Sequence, residues 1–143
     1  MRRFQFSLQA ALVMRERSVE AAEIALRVVQ EEWNVNQRMQ QDLVDEVKRA
    51  ELALREGPVN PADFIAVDKF RTVSHRRRLR LAQEATNIAK RLAERRAAWQ
   101  TAERDKTLLV RLKEKALSRW QLEYDKEQQQ LAEEAYLSRW NVR

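Results

Sequence analysis

The chain contains no cysteine, one glycine, two prolines and one histidine in 143 residues. Each scarcity excludes something. Without cysteine there are no disulfides, no thiolate metal ligands and no cysteine nucleophile, a usage that fits a cytoplasmic protein. A single glycine cannot build the Gly-rich loops that cradle nucleotide phosphates. The lone imidazole, His75, stands beside Arg76, Arg77 and Arg78. Those neighbours offer no metal partner, so it reads as a solvated histidine on a helix face. The carboxylate pairs Glu31/Glu32, Asp45/Glu46 and Glu133/Glu134 are adjacent in sequence. Adjacent residues diverge around a helix and do not converge on one site. We therefore expect no enzyme, no metal and no cofactor. Apolar runs near the ~18 residues of a membrane span are lacking, and Met1-Arg2-Arg3 leads into Phe4, Gln5, Phe6 and Ser7 without the apolar core of a signal peptide.

What the chain does contain is helix-forming sequence with one interruption. Gly57, Pro58 and Pro61 are the only glycine and prolines, and they fall within five positions. Glycine ends a helix by adopting positive φ, and Pro58 removes the N–H a Schellman motif needs, which predicts an αL termination at Gly57. Asn60 then suits an N-cap, Pro61 the first helical position and Asp63 the first turn. Val59 and Phe64 occupy the positions of a hydrophobic staple. The expected fold is all-α: one antiparallel coiled-coil hairpin over residues 1–143, with helices 7–56 and 61–140 joined by a turn at 57–60.

The apolar pattern supports a seam. Alternating steps of four and three from Leu8 pass through Leu12, Arg15, Val19, Ala22, Leu26, Val29, Trp33, Asn36, Gln40, Leu43, Val47, Ala50 and Leu54. This is a coiled-coil repeat with two adjacent polar positions, Asn36 and Gln40, which weaken packing and can fix register. The second helix shows Leu81, Ala85, Ile88, Leu92, Arg95, Trp99 and Ala102 in phase. Beyond them Lys106, Val110, Leu117, Trp120, Tyr124 and Leu131 read as a stutter that locally unwinds the supercoil. Folding about the turn pairs Leu54 with Phe64, Trp33 with Ala85, Leu26 with Leu92, Asn36 with Ala82 and Gln40 with Arg78. It leaves the second helix overhanging by roughly 45 Å. That overhang bears Leu117, Trp120, Tyr124, Leu131, Tyr136 and Trp140, aromatic and aliphatic side chains typical of interface anchors.

Charge is unevenly placed. Residues 1–56 hold 9 basic and 10 acidic side chains and residues 101–143 hold 9 and 8, whereas residues 57–100 hold 10 and 4. The excess lies early in the second helix, above all in the run Arg76, Arg77, Arg78 and Arg80, and points to an acidic partner surface or nucleic acid. A basic zipper places such a run on a free helix end, whereas here it lies opposite another helix with few aromatics for base stacking. A scaffolding stalk is the other class of function open to such a chain.

The opening Arg3-Phe4-Gln5-Phe6-Ser7-Leu8-Gln9, with Leu12, Arg15-Glu16-Arg17 and Glu20-Ala21-Ala22, resembles the start of the FliJ family of bacterial flagellar export. The second half is similar too, through Glu103-Arg104-Asp105-Lys106, Leu109, Leu112-Lys113-Glu114-Lys115, Tyr124, Glu127 and Glu133-Glu134-Ala135. The resemblance implies a cytoplasmic, coiled-coil stalk of the type III export apparatus, peripheral at the cytoplasmic face of the cell membrane. Its joined N- and C-terminal end would enter the hexameric export ATPase and promote its assembly and activity. A surface early in the second helix would contact the cytoplasmic domain of the export gate membrane protein, and the protein would bind export chaperones. Carried onto this chain, the ATPase-binding end is Phe4, Phe6, Leu8, Leu12, Leu109, Leu112, Leu117, Trp120 and Tyr124. The gate surface is Phe70, Val73, Arg77 and Leu81. Family members present a mostly apolar stripe there, whereas this chain reads Phe70, Ser74, Arg77 and Leu81, so either the contact is more electrostatic, the basic run binding an acidic partner surface, or it uses the neighbouring Val73 and Leu79. The virulence type III stalk and a basic coiled coil that binds nucleic acid are the alternatives; the Phe4–Leu8 opening favours the flagellar branch. The expected partners exclude specific nucleic acid and membrane insertion.

Overall fold

The computed structural model describes residues 2–58 and 60–142. Two helices account for nearly all of them: α1, Gln9–Arg55, and α2, Pro61–Asn141. They form an antiparallel all-α hairpin in which α2 is the longer and overhangs. No described residue lies in a strand, and no helix among the described residues is long and apolar enough to cross a membrane. Ser7 and Leu8 form a turn ahead of α1 rather than its first residues. The Leu8 carbonyl accepts from Leu12 N–H at 2.9 Å, and the Phe6 carbonyl from Gln9 N–H at 3.1 Å.

The turn follows its local chemistry with one correction. α1 closes with a tightened last turn, Glu56 N–H donating to Ala53 C=O at 3.4 Å. Gly57 has φ +153°, so it is not in the αL well but in the extended positive-φ region that only glycine enters readily. Asn60 caps α2 as expected: its Oδ1 accepts from Ala62 N–H at 3.1 Å and its C=O from Asp63 N–H at 3.0 Å. Such a cap contributes about 1 kcal/mol. Val59 of the expected staple lies outside the described residues, and Phe64 is half-exposed. A Cβ at Gly57 would meet no atom within 4 Å, so Gly57→Ala tests backbone strain alone. It should lower the unfolding free energy by about 1–3 kcal/mol, read by urea denaturation.

The residues divide into two compact units, one formed by Ala22–Trp99 and the other by the flanking segments. In the Ala22–Trp99 unit, Val29, Ile88 and Leu92 are buried, and Leu26 and Trp33 pack against them. Ala85 and Ser74 are buried nearer the loop. Next to this apolar cluster Asn36, 4% exposed, donates from Nδ2 to the Leu81 carbonyl at 3.0 Å and accepts from Gln40 Nε2 at 2.7 Å. Burying an amide is costly unless it is paired, and this one is paired on both sides. The two polar seam positions are thus a connected layer rather than a packing defect. Asn36 meets Leu81, one residue from the expected Ala82. The surface ion pairs Glu32–Arg91 and Glu51–Arg71 reach about one turn further along α2 than the apolar pairing requires.

In the other unit, Leu12 and Val19 are buried on α1. On α2 the half-buried positions include Ala102, Lys106, Leu109, Lys113, Ala116 and Trp120. These keep the four-three alternation, so the expected stutter is corrected. Lysines occupy two seam positions, and Leu117 stands outside the seam, 41% exposed. A lysine fills a seam position with its aliphatic stem while its ammonium reaches the edge. Lys113 does this, with Nζ donating to Gln9 Oε1 at 2.9 Å. Arg15, on the α1 seam, pairs with Asp105 at 3.2 Å.

Candidate functional site

Two regions carry the residues singled out from sequence. The first is the end where the extended N-terminal segment meets α2. Phe4 packs edge-on against Trp120, with ring centroids 6.0 Å apart and planes at 60°. Trp120 stacks on Tyr124 at 5.3 Å and 15°, and its indole N–H donates to the Arg2 carbonyl at 3.1 Å. The segment before α1 therefore runs on along α2 and covers Trp120, which shortens the overhang relative to the sequence expectation. Spacing of i and i+4 on a helix sets Trp120 above Tyr124, and a Trp with its N–H satisfied is comfortable half-buried.

The other expected members of this end separate. Phe6 and Leu109 are half-buried, Leu8, Leu112 and Leu117 are exposed, and Leu12 is 3% exposed. Leu12 is a seam residue with no surface to offer a partner. Beyond Tyr124 every described residue is exposed except the half-buried Glu127. Leu131, Tyr136 and Trp140 lie there as expected, with the rings of Tyr136 and Trp140 6.4 Å apart. Leu122 and Leu137, 63% and 59% exposed, join them; Leu122 is off the seam phase, while Leu137 continues the Ala102, Leu109 and Ala116 positions. The signal for them is simply that α2 continues where α1 has no residues left to face it. Apolar anchors on a helix without a partner are characteristic of interfaces.

The second region is the early part of α2. Phe70, Val73 and Arg77 share one face at i, i+3 and i+7 and are exposed, while Leu81 is half-buried on the seam. Arg76, Arg77, Arg78 and Arg80 are all exposed, and none makes an ion pair among the described residues. Helix geometry divides this run. Arg77 and Arg80 border a groove of about 420 Å³ that also carries Asp42 and Glu46 of α1. Arg78 borders a groove of about 500 Å³ on the other side, beside Lys48, His75 and the Glu51–Arg71 ion pair. The basic patch expected from sequence is therefore two surfaces of different electrostatic character. Among the described residues no three His, Cys, Asp or Glu side chains gather as metal ligands would.

No protein-family model matches the chain, and comparisons with curated proteins and with solved structures find no match either.

Proposed function

We propose that this chain is a stalk-like component of a bacterial type III export apparatus, of the flagellar branch, acting at the cytoplasmic face of the membrane. Its joined N- and C-terminal end binds a hexameric export ATPase and promotes assembly and hydrolysis. The surface of Phe70, Val73 and Arg77 meets an acidic face of the export gate protein, and the same stalk engages export chaperones. The observation that carries the reading is the Phe4–Trp120–Tyr124 cluster below an exposed, aromatic-bearing helix. A narrow end of this kind, apolar and mostly preformed, fits insertion into a ring. The resemblance of residues 3–22 and 103–135 to export stalks points to which ring.

ATP hydrolysis and hexamer formation by the export ATPase should rise on addition of the full chain. A chain truncated after Lys113 should lose the stimulation. Leu112→Ser together with Leu117→Ser should reduce it severalfold, because both side chains are exposed and their loss spares the fold. Absence of stimulation by the intact chain would remove the export reading and leave salt-dependent nucleic-acid binding as the next assay.

A further inference from the structure

Of the groove bordered by Arg77 and Arg80, the stalk reading uses Arg77 alone. The groove is continuous with a second pocket of about 480 Å³ nearer the apolar cluster, since Met39, Leu81 and Glu84 line both. The floor is apolar: Val35 is half-buried and Met39 is 50% exposed. Val28, 55% exposed, extends the same stripe of α1, seven residues before Val35. At the loop-proximal end Asp42 and Glu46 on α1 face Arg80 and Arg77 on α2, and α2 adds one carboxylate, Glu84, one turn beyond Arg80. Further from the loop the walls are bridged by the Glu32–Arg91 ion pair. Asp42 and Arg80 stand level with each other about three turns nearer the loop, and Glu46 and Arg77 about four. Neither pair is closed by an ion pair. The groove is thus open, apolar at its base, and lined with charge of both signs that no ion pair closes.

We propose that a second copy of this chain occupies the groove, making a two-fold dimer through the Ala22–Trp99 unit. Charge selects the arrangement. Rotation about an axis parallel to the helices lays α1 of one copy antiparallel over α2 of the other at the same level. Asp42 and Glu46 of each copy then meet Arg80 and Arg77 of the other, and the two grooves close on each other as a four-helix bundle. The alternative two-fold, perpendicular to the helices, stacks α1 on α1 and opposes like charges. An isologous interface of this kind is self-complementary. Its recognition groups are carboxylates on one helix and guanidiniums on the other, which pair in bidentate fashion when water is excluded. This inference does not rest on the stalk reading.

Sedimentation equilibrium of the full chain tests it, with circular dichroism to verify helix content. The wild type should show a concentration-dependent monomer–dimer equilibrium that weakens as salt is raised. Asp42→Arg with Glu46→Arg, and separately Arg77→Glu with Arg80→Glu, should each raise the dimer dissociation constant about 100-fold, because like charges then oppose one another. Mixed in equal amounts, the two variants should form a heterodimer, since each reversed wall meets its complement in the other chain. A wild type that remains at the 17.0 kDa monomer mass at every concentration would overturn the proposal and give the groove to a helix of another protein. Helical charge-reversed variants that fail to combine on mixing would overturn it equally.

Discussion

Leu92→Ala should lower the unfolding free energy by about 2–3 kcal/mol. Deleting a buried leucine side chain from a protein core costs about 2–5 kcal/mol, part transfer and part cavity. The lower half applies because a two-helix seam is bordered by solvent and can relax into the gap. Leu92 is 9% exposed and belongs to the cluster with Val29 and Ile88, against which Leu26 and Trp33 pack. No second layer stands behind this cluster to share the loss. Urea denaturation followed by circular dichroism should show a lower midpoint with an unchanged slope. Leu79→Ala is the contrast: Leu79 is 54% exposed, and its truncation should stay within about 0.5 kcal/mol. Equal losses at the two positions would mean that the seam is not where stability resides.

Which elements are legible in the sequence follows from how local their causes are. Gly57, Pro58, Asn60 and Pro61 act within one turn of chain, so the hairpin break and the N-cap can be read from residue types. The α1 seam is legible because it is apolar nearly throughout: Leu12, Val19 and Val29 are buried where the alternation places them. The later α2 seam is not, because Lys106 and Lys113 hold positions in it while Leu117 and Leu131 lie off it. Counting apolar residues follows the wrong face when lysine stems do the packing. The contact of Phe4 with Trp120 is hidden for a different reason. Helix lengths alone set the expected overhang, and an extended segment can cover a helix as well as another helix can. The division of Arg77 and Arg80 from Arg78 depends on the pairing of α1 against α2, which no single-helix pattern contains.

The polar layer supplies the second large effect, and it concerns specificity more than stability. Asn36 donates to the Leu81 carbonyl across the seam and accepts from Gln40 along its own helix. The acceptor is the Leu81 backbone carbonyl, reached at this level of the seam. Sliding α2 by a turn would leave the Asn36 amide against other groups, and a buried unpaired amide costs about 1–3 kcal/mol. The apolar seam positions, by contrast, repeat every heptad and tolerate a slide. Asn36→Ala should cost about 1–2 kcal/mol by removing the bond and opening a small gap. Asn36→Leu should instead raise the melting temperature while loosening the register, as polar seam residues do when replaced by apolar ones. The cysteine-free chain allows a direct reading through spin labels on Glu32→Cys and Arg91→Cys, placed at an ion pair that bridges α1 and α2. The label-to-label distance distribution from pulsed electron paramagnetic resonance should be single and narrow when Asn36 is present. With Asn36→Leu it should broaden or split as other registers compete. A distribution equally narrow in the Asn36→Leu background would assign register to the loop at Gly57–Asn60 and reduce Asn36 to a satisfied but dispensable polar contact.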